Sequence, residues 1–384
     1  MTAFDIAIIG GGVIGTSIAW ELAAGKLRVV VLDRQQPGQE ASWAAAGMLS
    51  PAPHSFRDTS LVPLARESLR LYSDFAAAIE EASGRSIGYE REGTLELFCG
   101  ACGEDDRNQR VSECRQLGIT AEAVSIETAR GWETAIGQAV QAAAWLPEEG
   151  RVEPRLLMDA TILAARYRGV EFRKNCQVSD LLIDRGRCHG IVAADGRISA
   201  AHVIVAAGCF SSQIGDDCLR QYAPTRPVRG QIVALRPDGS RIQRVLRSQR
   251  GYLVPRRRGG QIVAGSTSEE AGFDKRVTAE GIRQILDGAL ELVPSLGSAE
   301  IAETWSGLRP GTPDDLPILG PAHVDGLLIA TGHYRNGILL APITAKLMRE
   351  WVMMGHASFQ TDQFSPRRFH RTSLRSATGS TAGN

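Results

Sequence analysis

The first 33 residues contain the pattern that most limits how this chain can fold. An apolar run over residues 4–9 leads directly into Gly10-Gly11-Gly12-Val13-Ile14-Gly15, and a second apolar run, residues 28–32, ends at Asp33. This order predicts a buried strand, a glycine turn, a helix and a second strand, which is the βαβ unit that binds dinucleotides. A glycine turn with only a structural role is the alternative.

Each part of this unit has an expected task. Gly10 makes the tight turn, Gly12 lets the backbone approach a pyrophosphate, and Gly15 lets the helix close on the sheet. The helix N-terminus presents free N–H groups and a favourable dipole to the phosphates. Asp33 lies where a carboxylate accepts hydrogen bonds from ribose hydroxyls. An acid at this position favours an adenine dinucleotide without a 2′-phosphate and argues against NADP.

Length and composition place the chain among ordinary globular proteins. Its 384 residues exceed one typical core, so two domains are expected. The formal net charge is zero, which gives no basis for electrostatic capture of nucleic acid. No apolar run approaches the roughly 18 residues that a membrane span needs. The longest, residues 338–354, is interrupted by Lys346, Arg349 and Glu350 and predicts an amphipathic helix.

The cysteines indicate neither a disulfide framework nor a metal site. There are seven, an odd number without regular spacing, and the one C-x-x-C, Cys99-Gly-Ala-Cys102, has no second pair. No signal-peptide pattern precedes Phe4. We therefore expect free thiols in a reducing cytoplasm and no metal.

The order of the patterns predicts an α/β chain (α+β overall) with two interleaved domains. Segments that resemble βαβ units recur near residues 1–80, 150–215 and 320–360, with strand-rich sequence between them. The buried strand at 202–206 is expected to join the first sheet. We predict a discontinuous Rossmann-like cofactor domain over residues 1–84, 146–222 and 312–365. An antiparallel-sheet substrate domain is predicted over residues 85–145 and 223–311, and a disordered tail over residues 366–384.

Two patches outside the first unit suggest where chemistry takes place. Residues 45–48, Ala-Ala-Gly-Met, have small side chains that let the backbone lie against something flat, although close helix–sheet packing explains them as well. In residues 305–314, Arg309 is predicted to lie between Gly and Pro turns, a rigid presentation that suits bidentate binding of a carboxylate. A surface ion pair is the alternative for Arg309.

A third patch follows the apolar strand predicted at residues 327–330. Residues 332–342 read as a glycine loop and then a helix, so a helix N-terminus points out of the loop. Its dipole would stabilise negative charge, such as that on a reduced flavin. A phosphate site or an ordinary helix cap fits the same pattern.

Together these stretches carry a family resemblance. Residues 1–365 resemble the FAD-dependent D-amino acid oxidase superfamily, and most closely its bacterial glycine oxidases of thiamine biosynthesis. The matching stretches are GGGVIG, AAAGML, WSGLRPGTPD and the most specific of the four, GHYRNGILLAP, at residues 10–15, 44–49, 305–314 and 332–342.

The resemblance implies an activity and its partners. Glycine, with sarcosine and small D-amino acids, would be oxidised by FAD with molecular oxygen as acceptor, giving an imino acid for the thiazole of thiamine and hydrogen peroxide. It also implies a homotetramer. Two alternatives stay open: a D-amino acid dehydrogenase that passes electrons to a quinone, and a non-catalytic flavin-binding subunit.

The resemblance also implies roles for individual residues. Arg309 would pair with the substrate carboxylate, Tyr252 would add a hydroxyl, and Arg335 would lie at substrate and flavin together. No acid or base is implied. Trp43 and Arg250 depart from the family pattern, and we expect both to alter the pocket rim. The residues that would contact FAD are Gly10, Gly12, Val13, Ile14, Gly15, Asp33, Arg34, Ala41, Ser42, Ala46, Gly47, Met48, Val178, His333, Tyr334, Arg335, Asn336, Gly337, Ile338 and Leu339.

The positions of the cysteines predict that the flavin is not covalently attached. In related sarcosine oxidases a cysteine in the region matching residues 308–310 binds the flavin, whereas this chain has no cysteine after Cys218. The purified protein should be yellow, and acid or heat should release all of the flavin into the supernatant, as measured by its absorbance. Flavin that stays with the precipitated chain would contradict the prediction.

Overall fold

A computed structural model describes residues 3–53, 59–215, 217–239 and 241–369. The α-helices in these ranges are α1 Val13–Ala23, α2 Ala41–Ala44, α3 Val62–Ser83, α4 Gly103–Gln116, α5 Ile126–Trp132, α6 Pro154–Tyr167, α7 Asp217–Tyr222, α8 Ala279–Leu292 and α9 Gly337–Met354. The strands are β1 Ala3–Ile9, β2 Val29–Leu32, β3 Met48–Leu49, β4 Thr94–Cys99, β5 Glu122–Val124, β6 Val140–Leu146, β7 Gly150–Arg151, β8 Glu171–Arg173, β9 Val178–Asp184, β10 Arg187–Ala193, β11 Gly196–Val205, β12 Arg226–Arg236, β13 Val245–Ser248, β14 Gly251–Pro255, β15 Ile262–Gly265, β16 Glu300–Gly311, β17 Ile318–Pro321 and β18 Leu327–Thr331.

The first large sheet contains the predicted βαβ unit. Its main path is β17-β18-β11-β1-β2-β8, and the hairpin β9-β10 continues from β11. Strand β1 lies parallel to β2 and β11, and β18 lies parallel to β11. The α/β prediction is confirmed. The strand expected at 202–206 does join this sheet, as the C-terminal part of the longer β11.

Alternating side chains of this sheet pack against two different layers. Ile6 and Ile8 of β1 join a core with helices α1, α3, α6 and α9. Ala7 and Ile9 point to the other face and pack with residues of β9, β10 and α7. Because the side-chain period of a strand is 2, the continuous apolar run of β1 indicates burial on both faces, as expected for a parallel strand.

The second large sheet has the order β16-β12-β15-β14-β13-β4-β6-β5. Its pairs are antiparallel except for β13 with β4, which lie parallel, so the expected antiparallel sheet is a mixed one. Helix α8 covers one face of this sheet through residues such as Ile285 and Leu292. The strands come from residues 94–146 and 226–311, which supports the predicted domain division, and we keep that division as a proposal.

The C-terminal part of the chain returns to the first sheet. Helix α9 covers the predicted amphipathic segment and buries Leu339, Ile343 and Leu347. No helix in the described ranges combines the length and apolarity needed to cross a membrane. The first residues of the predicted tail, 366–369, lie among the described residues, and Arg368 there forms an ion pair with Asp314 at 2.7 Å, while disorder in the tail stays a prediction. Residues 370–384 lie outside the described residues.

Close contact between backbones explains two glycines of the first turn. Gly10 has a φ of +105°, in the left-handed region, and a Cβ on it would lie 2.5 Å from the carbonyl oxygen of Ala206. A Cβ on Gly15 would overlap the carbonyl oxygen of Gly10. Helix α1 therefore approaches β1 closely enough that only glycine fits at position 15.

This contact predicts a large loss of stability for Gly15→Ala. Neither backbone segment can move without displacing the helix or the strand, so the free energy of unfolding should fall by about 3 kcal/mol or more. Urea unfolding followed by circular dichroism measures the change. Gly25→Ala is the matched control, because its Cβ would meet only the carbonyl oxygen of Leu22 at an ordinary 3.4 Å. Equal stabilities of the two variants would contradict the close contact.

Candidate cofactor and substrate site

A cavity of about 1100 Å³ runs between the two large sheets. One wall consists of the loops that follow four parallel strands, at residues 10–14 after β1, 33–34 after β2, 206–210 after β11 and 331–338 after β18. The second sheet supplies the facing wall. Ligands of open α/β sheets bind at this edge, where the carboxyl ends of the strands meet.

The cavity brings together nearly all residues predicted for cofactor and substrate. Two of them, Gly15 and Leu339, are not among the lining residues: Gly15 contacts the strand, and Leu339 is buried in the core. The predicted residues that line the cavity are Gly10, Gly12, Val13, Ile14, Asp33, Arg34, Ala41, Ser42, Ala46, Gly47, Met48, Val178, Tyr252, Arg309, His333, Tyr334, Arg335, Asn336, Gly337 and Ile338.

The N-terminus of α1 presents unpaired donors to this cavity. The backbone N–H of Val13 donates to Ser42 Oγ at 2.9 Å, but no residue in the described ranges accepts from Gly12 or Ile14 N–H. A Cβ on Gly12 would meet only Ser42 Oγ, at 3.2 Å, so protein packing does not require glycine here. The missing side chain instead leaves room for a group bound at the helix N-terminus, as a pyrophosphate would be.

Asp33 is held in place by the glycine turn. Its Oδ2 accepts from the N–H of Gly11 at 2.8 Å, and its Oδ1 accepts from the N–H of Gln35 at 2.8 Å. Burial raises the pKa of the carboxyl, and these two hydrogen bonds oppose that rise. The acid that follows β2 is thus fixed beside the turn, at the edge of the cavity.

The N-terminus of α9 points into the same cavity. The loop before it is anchored to β16 by Tyr334, whose N–H donates to the carbonyl oxygen of Pro310 at 3.1 Å. Within the described ranges no acceptor faces the N–H of Gly337 or Ile338. Two helix N-termini therefore face one elongated cavity, which fits an anionic dinucleotide such as FAD.

His333 has a supporting position in this loop. Its ring is buried, and Nε2 lies 3.0 Å from Thr344 Oγ1 on α9. Burial lowers the pKa of the imidazole to about 3. The imidazole is therefore neutral at physiological pH, and its contact with Thr344 ties the loop to α9.

Gly47 has a packing role in addition to its place in the cavity wall. Its φ is +88°, and a Cβ there would overlap the carbonyl oxygen of Val152. The N–H of Val152 donates to the Gly47 carbonyl at 2.9 Å. Residues 45–48 are expected either to lie against a flat ligand or to pack closely against the protein, and at Gly47 the close packing is observed. This packing places the backbone of Met48 along the cavity.

Arg309 lies within a strand, so the prediction that turns hold it is wrong. Strand β16 pairs with β12 across residues 226–236, and Arg309 stands opposite Val228. Its Nη2 donates to Ser266 Oγ at 2.7 Å and its Nη1 to the carbonyl oxygen of Thr267 at 3.1 Å. The guanidinium lies over Gly230, where any side chain would overlap it. The antiparallel ladder provides the rigidity that we expected from turns.

The surroundings of Arg309 contain hydroxyls and a second arginine. Burial lowers the pKa of its guanidinium, Tyr252 and Tyr334 act in the opposite direction, and Arg335 lowers it further. Glu269 raises this pKa less than the other groups do, and it is already bound by Arg229 at 2.5 Å. No carboxylate in the described ranges forms an ion pair with Arg309. The surface ion pair is therefore excluded, and the site can accept a carboxylate from outside.

Of the two departures from the family pattern, only Arg250 lines the cavity. Arg250 forms an ion pair with Glu291 of α8 at 3.3 Å. Trp43 is absent from the lining and packs edge to face on Trp305, with ring centroids 6.1 Å apart. The guanidinium of Arg155 lies 3.6 Å above the Trp43 ring. Trp43 therefore does not line the cavity itself, and its effect on the rim stays a prediction.

Sequence reasoning missed a buried charge network at the cavity wall. Arg247 binds Glu96 at 2.7 Å and Glu149 at 3.0 Å, and Arg110 also binds Glu96. Burial tends to raise the pKa of the Glu96 carboxyl, but the nearby charges of Arg247 and Arg110 lower it by more, so the net shift is downward. At Glu149 the effect of burial is larger than that of Arg247, and the pKa is raised. Arg110 also donates to the Pro53 carbonyl at 2.8 Å. No local pattern indicates this network, because the β4–β13 pairing brings Arg247 opposite Glu96.

Neither Cys99 nor Cys102 of the C-x-x-C segment is among the residues that line this cavity. Cys102 is exposed and Cys99 half-buried, both as free thiols. In the described ranges no three His, Cys, Asp or Glu side chains lie where they could hold a metal ion together.

Comparison with known proteins agrees with this geometry. The sequence model of the DAO family, described as FAD dependent oxidoreductase, matches residues 5–351. The chain is 36% identical to the bifunctional protein ThiO/ThiG of Trichormus variabilis over 96% of its own length and 55% of that protein. It is 33% identical to the glycine oxidase of Geobacillus kaustophilus, over 94% of this chain and 96% of that one. The chain thus spans about half the length of the bifunctional relatives it matches.

The fold of the chain is also similar to that of a glycine oxidase. The crystal structure of glycine oxidase from Geobacillus kaustophilus superposes with a TM-score of 0.90 at 32% identity, covering 96% of this chain and 99% of that one. The family uses FAD, and the cavity with its two helix N-termini fits that cofactor. The chain belongs to the family of FAD-dependent oxidoreductases that contains these glycine oxidases.

Proposed function

We propose that the chain oxidises glycine, and with it sarcosine and small D-amino acids, to the imino acid. Water hydrolyses the imino acid to the keto acid and an amine, which is ammonia for glycine and D-alanine and methylamine for sarcosine, and molecular oxygen is reduced to hydrogen peroxide. The names of relatives at 31–37% identity support this activity and its place in the supply of iminoglycine for the thiazole of thiamine. We also propose a cytoplasmic location and a homotetramer.

The observation that carries the proposal is Arg309. A half-buried guanidinium that faces a cavity and has no acidic partner in the described ranges is stabilised when a ligand supplies the opposite charge. An amino acid substrate supplies it as a carboxylate. The planar fork of arginine binds two carboxylate oxygens at once, which fixes orientation as well as position.

The protein contributes binding and orientation. Bound FAD would supply an acceptor for the hydride of the substrate Cα and a route for the electrons to oxygen. We propose that Arg309 and the Tyr252 hydroxyl hold the carboxylate, while Arg335 adds positive charge at the boundary between substrate and cofactor. The residues predicted to contact FAD that line the cavity, which exclude Gly15 and Leu339, would hold the cofactor along the two helix N-termini. No side-chain base is assigned, because the neutral amine of the substrate needs none for this step.

Two alternatives predict different results with the same purified protein. A D-amino acid dehydrogenase would reduce dyes or quinones readily and consume little oxygen. A non-catalytic flavin-binding subunit would retain FAD and show no turnover when purified alone. The presence of Arg309, Tyr252 and Arg335 at one cavity favours a catalytic chain.

A peroxide assay of the purified holoprotein tests the proposal. Glycine, sarcosine, D-alanine and D-proline should each be tried in air-saturated buffer, with hydrogen peroxide and ammonia measured together. We expect peroxide from glycine and one ammonia per peroxide. Bleaching of the flavin without oxygen consumption would point to the dehydrogenase, and an unchanged flavin spectrum with all four substrates would point to the subunit.

Arg309→Lys should weaken substrate binding without loss of FAD. Lysine keeps the charge but loses the two-point geometry, which removes hydrogen bonds worth about 1.5–3 kcal/mol. The KM for glycine should therefore rise about tenfold or more, since 1.4 kcal/mol corresponds to a factor of ten. We expect kcat to fall as well, because orientation is lost. Steady-state kinetics and the ratio of flavin to protein absorbance measure these effects.

The matched control is Arg283→Lys on the exposed face of α8, where the arginine pairs with Glu280 and Asp287. That variant should keep wild-type kinetics. If Arg309→Lys also behaved as wild type, and inhibition by glycolate did not change, Arg309 would be a structural residue. The carboxylate role would then fall to Arg335.

A further inference from the structure

One face of β16 carries three residues that connect the two walls of the cavity. Trp305, Gly307 and Arg309 are two residues apart, so their side chains point to the same face of the sheet. The Trp305 Nε1–H donates to the carbonyl oxygen of Ala44 at 3.0 Å. A Cβ on Gly307 would lie 2.5 Å from the Ala44 Cβ. The strand that holds Arg309 is thus in direct contact with α2.

Helix α2 belongs to the opposite, cofactor-binding wall. Its residues Ala41, Ser42 and Ala44 line the cavity. The Ser42 Oγ accepts the N–H of Val13 at the N-terminus of α1. Any displacement of α2 therefore moves a group that is bonded to the first turn of α1, where the proposed pyrophosphate site lies.

Side-chain contacts hold α2 in place at both of its ends. At one end, Arg155 lies between the rings of Trp43 and Trp305, with its Cζ 3.6 Å and 4.8 Å from the two centroids. It also donates two hydrogen bonds of 3.0 Å to Glu303 of β16. At the other end, Lys275 binds Glu40 at 3.0 Å.

The glycine at position 307 is explained only by this contact. Gly307 lies in a regular strand without a positive φ, a conformation open to any residue. Glycine inside a strand weakens the strand and often marks the close approach of another backbone. Ala44 is the group that approaches here.

We propose that Trp305 and Gly307 are positioning residues that fix the spacing between the cofactor-binding segment α2 and Arg309. The inference rests on the proposed function, because it assigns substrate carboxylate to Arg309 and cofactor to α2. The close contact between the Ala44 side chain and Gly307 sets the distance between α2 and β16. The Trp305 hydrogen bond fixes the orientation of α2, and the contacts of Arg155 with Trp43 prevent α2 from tilting. Substrate and cofactor are then held at a fixed separation before reaction.

The test is a double-mutant cycle between Gly307 and Ala44. Gly307→Ala adds a methyl group that pushes α2 away from β16, whereas Ala44→Gly removes the methyl group that it meets. The four proteins are wild type, each single variant and the double variant, purified as holoproteins. Gly131→Ala is the matched control, because a Cβ on this glycine of α5 meets nothing within 4 Å. The measurements are kcat and KM for glycine, the Kd for FAD, the Kd for glycolate from the flavin spectrum, and the melting temperature.

We expect Gly307→Ala to lower kcat/KM about 100-fold, since small misplacements of bound groups have effects of this size. Its Kd values for FAD and glycolate should both rise. Ala44→Gly in the same chain should restore all three quantities to within about threefold of wild type, because the two residues act on one contact. Gly131→Ala should match wild type throughout.

Two results would overturn the proposal. One is a Gly307→Ala protein with wild-type kcat/KM and ligand affinities. The other is a double variant that melts like wild type but stays as impaired as the single variant. If wild type does not oxidise glycine, the proposed function fails, yet the two Kd values still report whether the Gly307–Ala44 contact controls both sites.

Discussion

The parallel pairing of β1 with its neighbours is the constraint on which the site depends. Strands β2, β1, β11 and β18 run in one direction, so the loops at their carboxyl ends meet at one edge of the sheet. These loops contribute the glycine turn, Asp33, residues 206–210 and the start of α9 to a single cavity. Parallel strands need long crossovers, and the crossovers supply the helices that cover the sheet and the second sheet that closes the cavity.

The positive groups that face the cavity have the same effect on a ligand. Two helix N-termini, Arg309 and Arg335 face it, and no carboxylate in the described ranges pairs with Arg309. These groups favour anions at their own positions, a pyrophosphate at the helix N-termini and a carboxylate at Arg309, while the lining also includes acids such as Glu40 and Asp314 that are bound by cations. His333 adds no charge, because burial keeps its imidazole neutral. The buried acids Glu96 and Glu149 do not reverse this balance, since Arg247 and Arg110 are bound to them.

The two walls of the cavity are connected as well as adjacent. The long ladder between β12 and β16 gives Arg309 a rigid base, and the same strand holds Ala44 of α2 through a hydrogen bond between residues 261 positions apart. The Trp43 side chain, which is not among the lining residues, serves this connection by stacking on Arg155. Orientation in the site thus depends on contacts that have no part in the chemistry itself.

The sequence by itself determined the features that rest on short-range spacing. The first βαβ unit, the acid at position 33 and the strand–loop–helix after residue 326 follow from glycine positions and apolar periods within about 30 residues. The structure alone decided the rest, because the partners come from distant segments. Arg309 stands in a strand opposite Val228, Trp43 packs outside the cavity, and Arg247 meets Glu96 across 151 residues of sequence. Pairing of strands and packing of side chains place such residues, and no local pattern encodes them.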